Sequence, residues 1–229
     1  MKNTLIIAAA VVLAGLMLPL SVAKLKSYDR TVDVKGLCER EVKADKVIWP
    51  ITYNVVDDQL ANILAQTEDY NGIIMKFLSD GGIKAEEISV STPKISDKYA
   101  NEYGNNDRVY RYLCTNTITV CTSDIDAVLA LQAKQSDLMK NGITLRSNEW
   151  ESSTQFSFEA LNDIKPEMIE EATANARQAA KKFAQDSGSR LGKIKTATQG
   201  TFSIENRDSN TPHLKKVRVV TYVTYYLKN

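Results

Sequence analysis

Hydrolytic and metal chemistry is usually built from histidine, cysteine and paired carboxylates, and this chain supplies them sparingly. His213 is the sole histidine in 229 residues. A catalytic triad needs an imidazole beside its nucleophile, and zinc sites usually take one or more. His213 follows Pro212 in a polar stretch and precedes Lys215 and Lys216, so it reads as a surface residue in a hairpin turn. The cysteines are Cys38, Cys114 and Cys121. An oxidising compartment permits one disulfide among them and leaves one thiol over. Cys114 and Cys121 lie on one predicted strand, where alternation sets them on opposite faces unless a bulge intervenes. Cys38 can pair with either only if their strands are neighbours. The alternative is that all three are small buried apolar side chains. No pair has the spacing of a redox motif or a metal site.

Carboxylates cluster at Glu159, Asp163, Glu167, Glu170 and Glu171. Glu167 shares a helical face with Glu170 or Glu171. General acid–base work needs such a pair in a cleft that separates their pKa values. At the start of a helix the same acids complement the dipole, and that is the reading adopted. Gly188, Gly192 and Gly200 follow a helix where a phosphate loop would open one. Lys215, Lys216 and Arg218 form a basic cluster too small for a polyanion stripe, and they read as a solvated strand face. No catalytic residue, cofactor or metal ligand is expected.

The clearest element is the helix within residues 161–195. Pro166 suits a first turn, where its missing N–H costs nothing. Met168 or Ile169, Ala172, Ala176, Ala179 or Ala180, and Phe183 recur at three-to-four spacing and form one apolar stripe. Gly188 suits a left-handed C-cap, and Gly192 a turn or a close backbone approach as the chain enters a strand. A stripe made mostly of alanine lets a helix lie close to its support. Strand-like segments flank it, so a helix laid across a sheet is predicted.

Before that helix, 46–56 alternates through Val47, Trp49, Ile51 and Tyr53. Pro50 interrupts it and predicts an edge strand or a bulge. Asp57 or Asp58 can cap a helix whose face is drawn by Leu60, Ile63, Leu64, Thr67, Tyr70, Ile74, Phe77 and Leu78. A strand over 87–95, an Asn-rich loop and a strand over 109–122 follow. Ser123 with Asp126 resembles a capping box and opens a third helix to about Lys140. Residues 143–161 read as extended, with Trp150, Phe156 and Phe158 directed to a core. A strand over about 194–204 and a turn over 206–212 come after the alanine helix. The last strand, 216–227, puts Val217, Val219, Thr221, Val223 and Tyr225 on one face. Gly82-Ile83 and Gly142-Ile143 each end a helix before a strand. That recurrence fits two related strand–helix–strand units, or simply two helices with the same C-cap. The fold class predicted is α+β, with antiparallel or mixed sheets and three main helices packed on them.

A chain with 43% hydrophobic residues can bury a sizeable core, and a formal net charge of +1 gives no reason to expect nucleic acid as a partner. Residues 1–23 hold an uncharged run over 5–20 followed by Ser21-Val22-Ala23. They read as a secretory signal peptide cleaved after Ala23, or as a retained membrane anchor; a buried helix is the third reading. Residues 24–29 read as a linker and 30–229 as one α+β domain. Membrane contact through the apolar run is expected if it is retained.

Thr31-Val32-Asp33-Val34-Lys35-Gly36, Gly82-Ile83 and the helix Glu171-Ala172-Thr173-Ala174-Asn175-Ala176-Arg177-Gln178-Ala179-Ala180 form one pattern along the chain. Phe183-Ala184-Gln185-Asp186-Ser187-Gly188 and Leu191-Gly192-Lys193-Ile194 complete it. In these residues the chain resembles the SIMPL-domain (DUF541, YggE-like) family of bacterial cell-envelope proteins. Gly36, Pro166, Gly188 and Gly192 accordingly take structural roles. The resemblance implies a periplasmic or secreted protein, with large ring- or channel-like homo-oligomers in some members and a link to oxidative-stress defence in some; the apolar run, if retained, implies an inner-membrane anchor with the folded domain outside the cytoplasm. It supplies no catalytic residue or cofactor. The function expected is therefore assembly without enzymatic activity; a small-ligand or peptide-binding module and an envelope enzyme are the alternatives.

Overall fold

The computed structural model describes residues 30–100, 110–146 and 153–228. The apolar run, the linker and Trp150 lie outside the described residues. The chain forms two compact units, one of Met1–Glu41, Leu161–Glu205 and Lys216–Asn229, the other of Val42–Ala160 and Asn206–Lys215.

The first unit pairs a helix with a four-stranded sheet. Its strands are β1 (Thr31–Lys43), β8 (Arg190–Gln199), β9 (Ser203–Asn206) and β10 (Leu214–Lys228), with β10 between β1 and β8 and also bonded to β9. β1 runs unbroken through residues 39–43. Leu227 N donates to Arg30 O, Thr224 reaches Asp33, and Lys216 and Arg218 reach Glu39, so β1 and β10 run antiparallel. Val217, Val219, Thr221, Val223 and Tyr225 are buried on one face of β10, as the alternation predicts.

That face meets α4 (Leu161–Asp186), whose buried residues are Met168, Ala172, Ala176, Ala180 and Ala184. The spacing is four throughout, so Ala184 ends the stripe. Phe183, expected to end it, is 60% exposed instead. The helix also starts earlier than the proline suggested. Pro166 is the sixth helical residue, beyond the first turn, and it leaves the Asn162 carbonyl without its usual i+4 donor. Gly36 shows how closely helix and sheet approach. A Cβ there would lie 1.8 Å from Ala172 O and 2.6 Å from Ala176 N. Gly192 is close-packed in the same sense, against Tyr226 O at 2.7 Å. Beneath the helix, the Thr221 and Tyr225 hydroxyls are buried without a hydrogen-bond partner.

The second unit holds β2 (Lys46–Asp57), α1 (Leu60–Asp80), β3 (Ile88–Val90), β4 (Lys94–Asp97), β5 (Tyr112–Thr122), α2 (Ile125–Ala133), α3 (Ser136–Lys140), β6 (Thr144–Arg146) and β7 (Gln155–Ser157). The sheet order is β3-β5-β2-β6, with β4 also on β5 and β7 also on β2, every pair antiparallel. β3 with β4, and β6 with β7, are two broken edge strands. Two strand–helix–strand units thus interleave in the split β-α-β-β-α-β order.

β2 is therefore a central strand, which corrects the edge reading drawn from Pro50. Its register with β5 runs unbroken through Pro50↔Thr119. On the other side, β6 pairs with 52–54 and β7 with 46–48, so the proline falls in the break between them. A residue without an N–H costs little where no strand lies beside it.

α1 buries Ile63, Thr67, Ile74 and Leu78, whereas Leu60 and Leu64, assigned to the same face, are exposed. Asp57 Oδ1 accepts from Gln59 N just before this helix. The third predicted helix is divided into α2 and α3, because tight bonds from Lys134 N to Leu131 O and from Gln135 N to Gln132 O close the first piece. Its cap is Asp124, which accepts from Ala127 N, not Ser123.

α1, α3 and α4 end alike. Gly82, Gly142 and Gly188 have positive φ. The next residue donates back five positions in each: Ile83 to Leu78 O, Ile143 to Leu138 O, Ser189 to Ala184 O. This Schellman pattern requires the glycine and favours an apolar residue after it. The Gly-Ile recurrence is thus a shared C-cap, set at equivalent points of the two interleaved units.

Candidate functional site

Some residues singled out for chemistry come together in two places: Cys38 sits with Glu167 and Glu171 around Arg40, and Cys121 and Glu159 line one cleft. Cys38, Cys114 and Cys121 are free thiols. Cys38 lies on β1 and Cys114 on β5, which belong to different sheets. Cys114 is buried and Cys121 exposed, on opposite faces of β5 as alternation requires. Burial, with the Glu171 carboxylate beside it, pushes the Cys38 thiol up.

Glu167 and Glu171 are held by one guanidinium. Arg40 Nη1 is 2.7 Å from Glu167 and Nη2 3.4 Å from Glu171. Two carboxylates bound by one cation form a structural clamp between β1 and α4, not an acid–base pair. His213 gives its carbonyl to Ala44 N and sets its ring edge-on to Phe156. Lys216 and Arg218 both bridge to Glu39, as a solvated face would.

Lys215 was grouped with them but differs. It is 7% exposed, with Nζ 2.5 Å from Asn206 Oδ1. Burial pushes its pKa below the ordinary lysine value. Below the folded-state pKa both states carry the charge, and this group adds no slope. Between that value and the ordinary one, the unfolded chain holds more protons, so stability rises with pH. Lys215→Met should abolish that alkaline rise and equal or exceed the wild type at neutral pH, as read from urea midpoints across the range.

A cleft of about 430 Å³ opens in the second unit, and sequence reasoning did not find it. Four separate segments line it: Asp45-Lys46 entering β2, Glu87 before β3, Cys121-Thr122-Ser123 leaving β5, and Glu159-Ala160 after β7. Its charges are engaged. Lys46 Nζ is 3.0 Å from Glu159. Asp45 accepts from Glu159 N and Ala160 N. Glu87 accepts from Thr122 Oγ1 at 2.6 Å and from Lys84 N at 3.0 Å, and the Thr122 hydroxyl holds its carboxyl below the usual range. Cys121 is an exposed free thiol there, with Ile48 beside it in register. The cleft can admit a small polar molecule, but no imidazole lies among its lining residues to move a proton. Among the described residues, no three His, Cys, Asp or Glu side chains are grouped to hold a metal ion, and no helix is long and apolar enough to cross a membrane.

These features define a two-unit α+β fold of antiparallel sheets and helices. A family model matches residues 32–222, described as SIMPL, protein of unknown function (DUF541). The chain belongs to the SIMPL family. A comparison with curated proteins found no match.

Proposed function

We propose that this is a non-enzymatic, exported cell-envelope protein that acts by assembling with copies of itself, in the setting of oxidative-stress defence that the family resemblance implies. The observation that carries the reading is the edge of the first unit's sheet. β8 ends that sheet, and from Lys193 to Gln199 every residue is exposed. A long strand open on both faces is a template for another strand. The opposite edge is less available, because Asn175 Nδ2 donates to Leu37 O on β1. A head-to-tail interface through one edge closes into a ring when its rotation completes.

Backbone alternation supplies the test. Gly200 N donates to Val220 O, so the N–H groups of Thr198 and Thr196 also face β10, and those of Ala197 and Gln199 point outward. Ala197→Pro removes an outward donor while leaving the β10 ladder intact. Light scattering over a concentration series should show a large assembly for the wild type and its loss in Ala197→Pro. A wild type that stays monomeric at every concentration defeats the proposal. The small-ligand reading is favoured by the Cys121 cleft, and the envelope enzyme by no arrangement of groups.

A further inference from the structure

Positive charge gathers where the first unit's sheet begins and ends. At that end β1 starts, β10 finishes, α4 stops and β8 sets out. Arg30 O bonds Leu227 N, its guanidinium donates to Ser189 Oγ, and Lys228 pairs in register with Arg190. Lys193 and Lys195 follow on β8. Lys35 lies 5.1 Å from the Tyr222 ring centroid and Lys195 5.5 Å from that of Tyr226. Lys181 and Lys182 add two more exposed cations in the last turns of α4. Among the described residues, two acids share this end. Asp33 accepts from Thr224 Oγ1, and Asp186 pairs with Lys182. The formal charge of the whole chain is only +1, so this end is strongly basic against an otherwise acidic remainder.

Two apolar side chains sit within the same segments. Phe183 is 60% and Ile194 49% exposed. Exposed apolar groups in segments that also carry lysine, arginine and tyrosine are the composition of a surface that rests in a lipid headgroup layer. The chain also enters the fold here: the 29 residues before Arg30 include the uncharged run over 5–20. A lipid surface held by that run would meet this end of the unit first.

We propose that the basic end of the first unit, centred on the start of β8 and the last turns of α4, docks on anionic phospholipid headgroups. This inference goes beyond assembly and does not depend on it. Each lysine or arginine near an anionic surface raises partitioning about fivefold, and the gain is screened by salt.

The test is flotation of the full chain with preformed vesicles, either phosphatidylcholine alone or an equal mixture of phosphatidylcholine and phosphatidylglycerol. The apolar run enters both alike, so the ratio of the two isolates the charge. At low salt the mixed vesicles should bind at least about tenfold more protein, and the preference should collapse as salt is raised. Reversing Lys181→Glu, Lys193→Glu and Lys228→Glu together should remove the preference and leave binding to phosphatidylcholine unchanged. The matched reversals Lys76→Glu, Lys94→Glu and Lys134→Glu, all exposed on the second unit, should keep it. Ala197→Pro should keep it too, which separates this inference from the assembly reading. Equal binding to both vesicles overturns the proposal, as does a preference that survives the first triple reversal. Inorganic polyphosphate bound by the chain while mixed vesicles are not would overturn it as well, by assigning the basic end to a soluble polyanion.

Discussion

Gly36→Ala should cost the protein about 3 kcal/mol or more, read as a lowered urea midpoint at unchanged slope. The added methyl carbon would lie 1.8 Å from Ala172 O and 2.8 Å from Ala176 Cβ. Neither obstacle can rotate away, since one is backbone and the other a side chain with no torsion to relieve the clash. The helix must lift from the sheet, and lifting it uncovers Val223 and Tyr225, which cluster with Ala176 and Ala180. Gly72→Ala should move the other way. Gly72 lies inside α1 with nothing within 4 Å of its missing Cβ, so alanine there should add up to about 1 kcal/mol through helix propensity. Opposite signs for one chemical change would tie the loss at Gly36 to the close approach. Equal signs would refute that account.

Asn116→Ala should be the second severe loss, at about 3 kcal/mol. Asn116 is 1% exposed, on the helix-facing side of β5. Its Nδ2 donates to Tyr53 Oη at 3.1 Å and to Asn71 Oδ1 at 2.9 Å, and its Oδ1 accepts from Ser91 Oγ at 3.1 Å. Tyr53, itself fully buried, lies 2.8 Å from Asn71 Oδ1 and 3.1 Å from Thr67 O, and burial pushes its phenol up. Removing the amide takes donors from two buried oxygens at once and leaves a cavity between β5 and α1. Thr115→Ala is the control. Thr115 bonds Asn54 Oδ1 from the other, half-exposed face of the same strand, and its loss should cost under about 1 kcal/mol. If the two variants lose stability equally, the buried network is not what holds α1 in place.

Features encoded over a few residues were legible before any coordinates. Alternation in 216–227 drew the buried face of β10, and the alanine stripe drew the contact of α4. The turn chemistry of Gly188 gave its left-handed cap. What failed depended on residues far away in the chain. Pro50 looked like an edge signal because its tolerance comes from a break between β6 and β7, about a hundred residues later. Phe183 and Ala184 fit the helical period equally well, and only the narrow gap over the sheet selects the smaller. The clamp of Arg40 on Glu167 and Glu171 joins residues separated by 127 and 131 positions. The Cys121 cleft is assembled from four segments, none of which carries a local pattern. Lys215 broke the surface reading of its own cluster because strand alternation, which turns Lys216 and Arg218 outward, turns it inward.

The antiparallel pairing of β1 with β10 also governs when the first unit can form. Asp33 and Thr224 meet across 191 positions, so β1 waits for β10. A nascent chain cannot complete that sheet, and α4 has no finished surface to settle on, before β10 has been made. Slow closure of this kind leaves the apolar stripe of α4 without its cover in any chain that lacks β10, so such a fragment should aggregate where the longer chain folds.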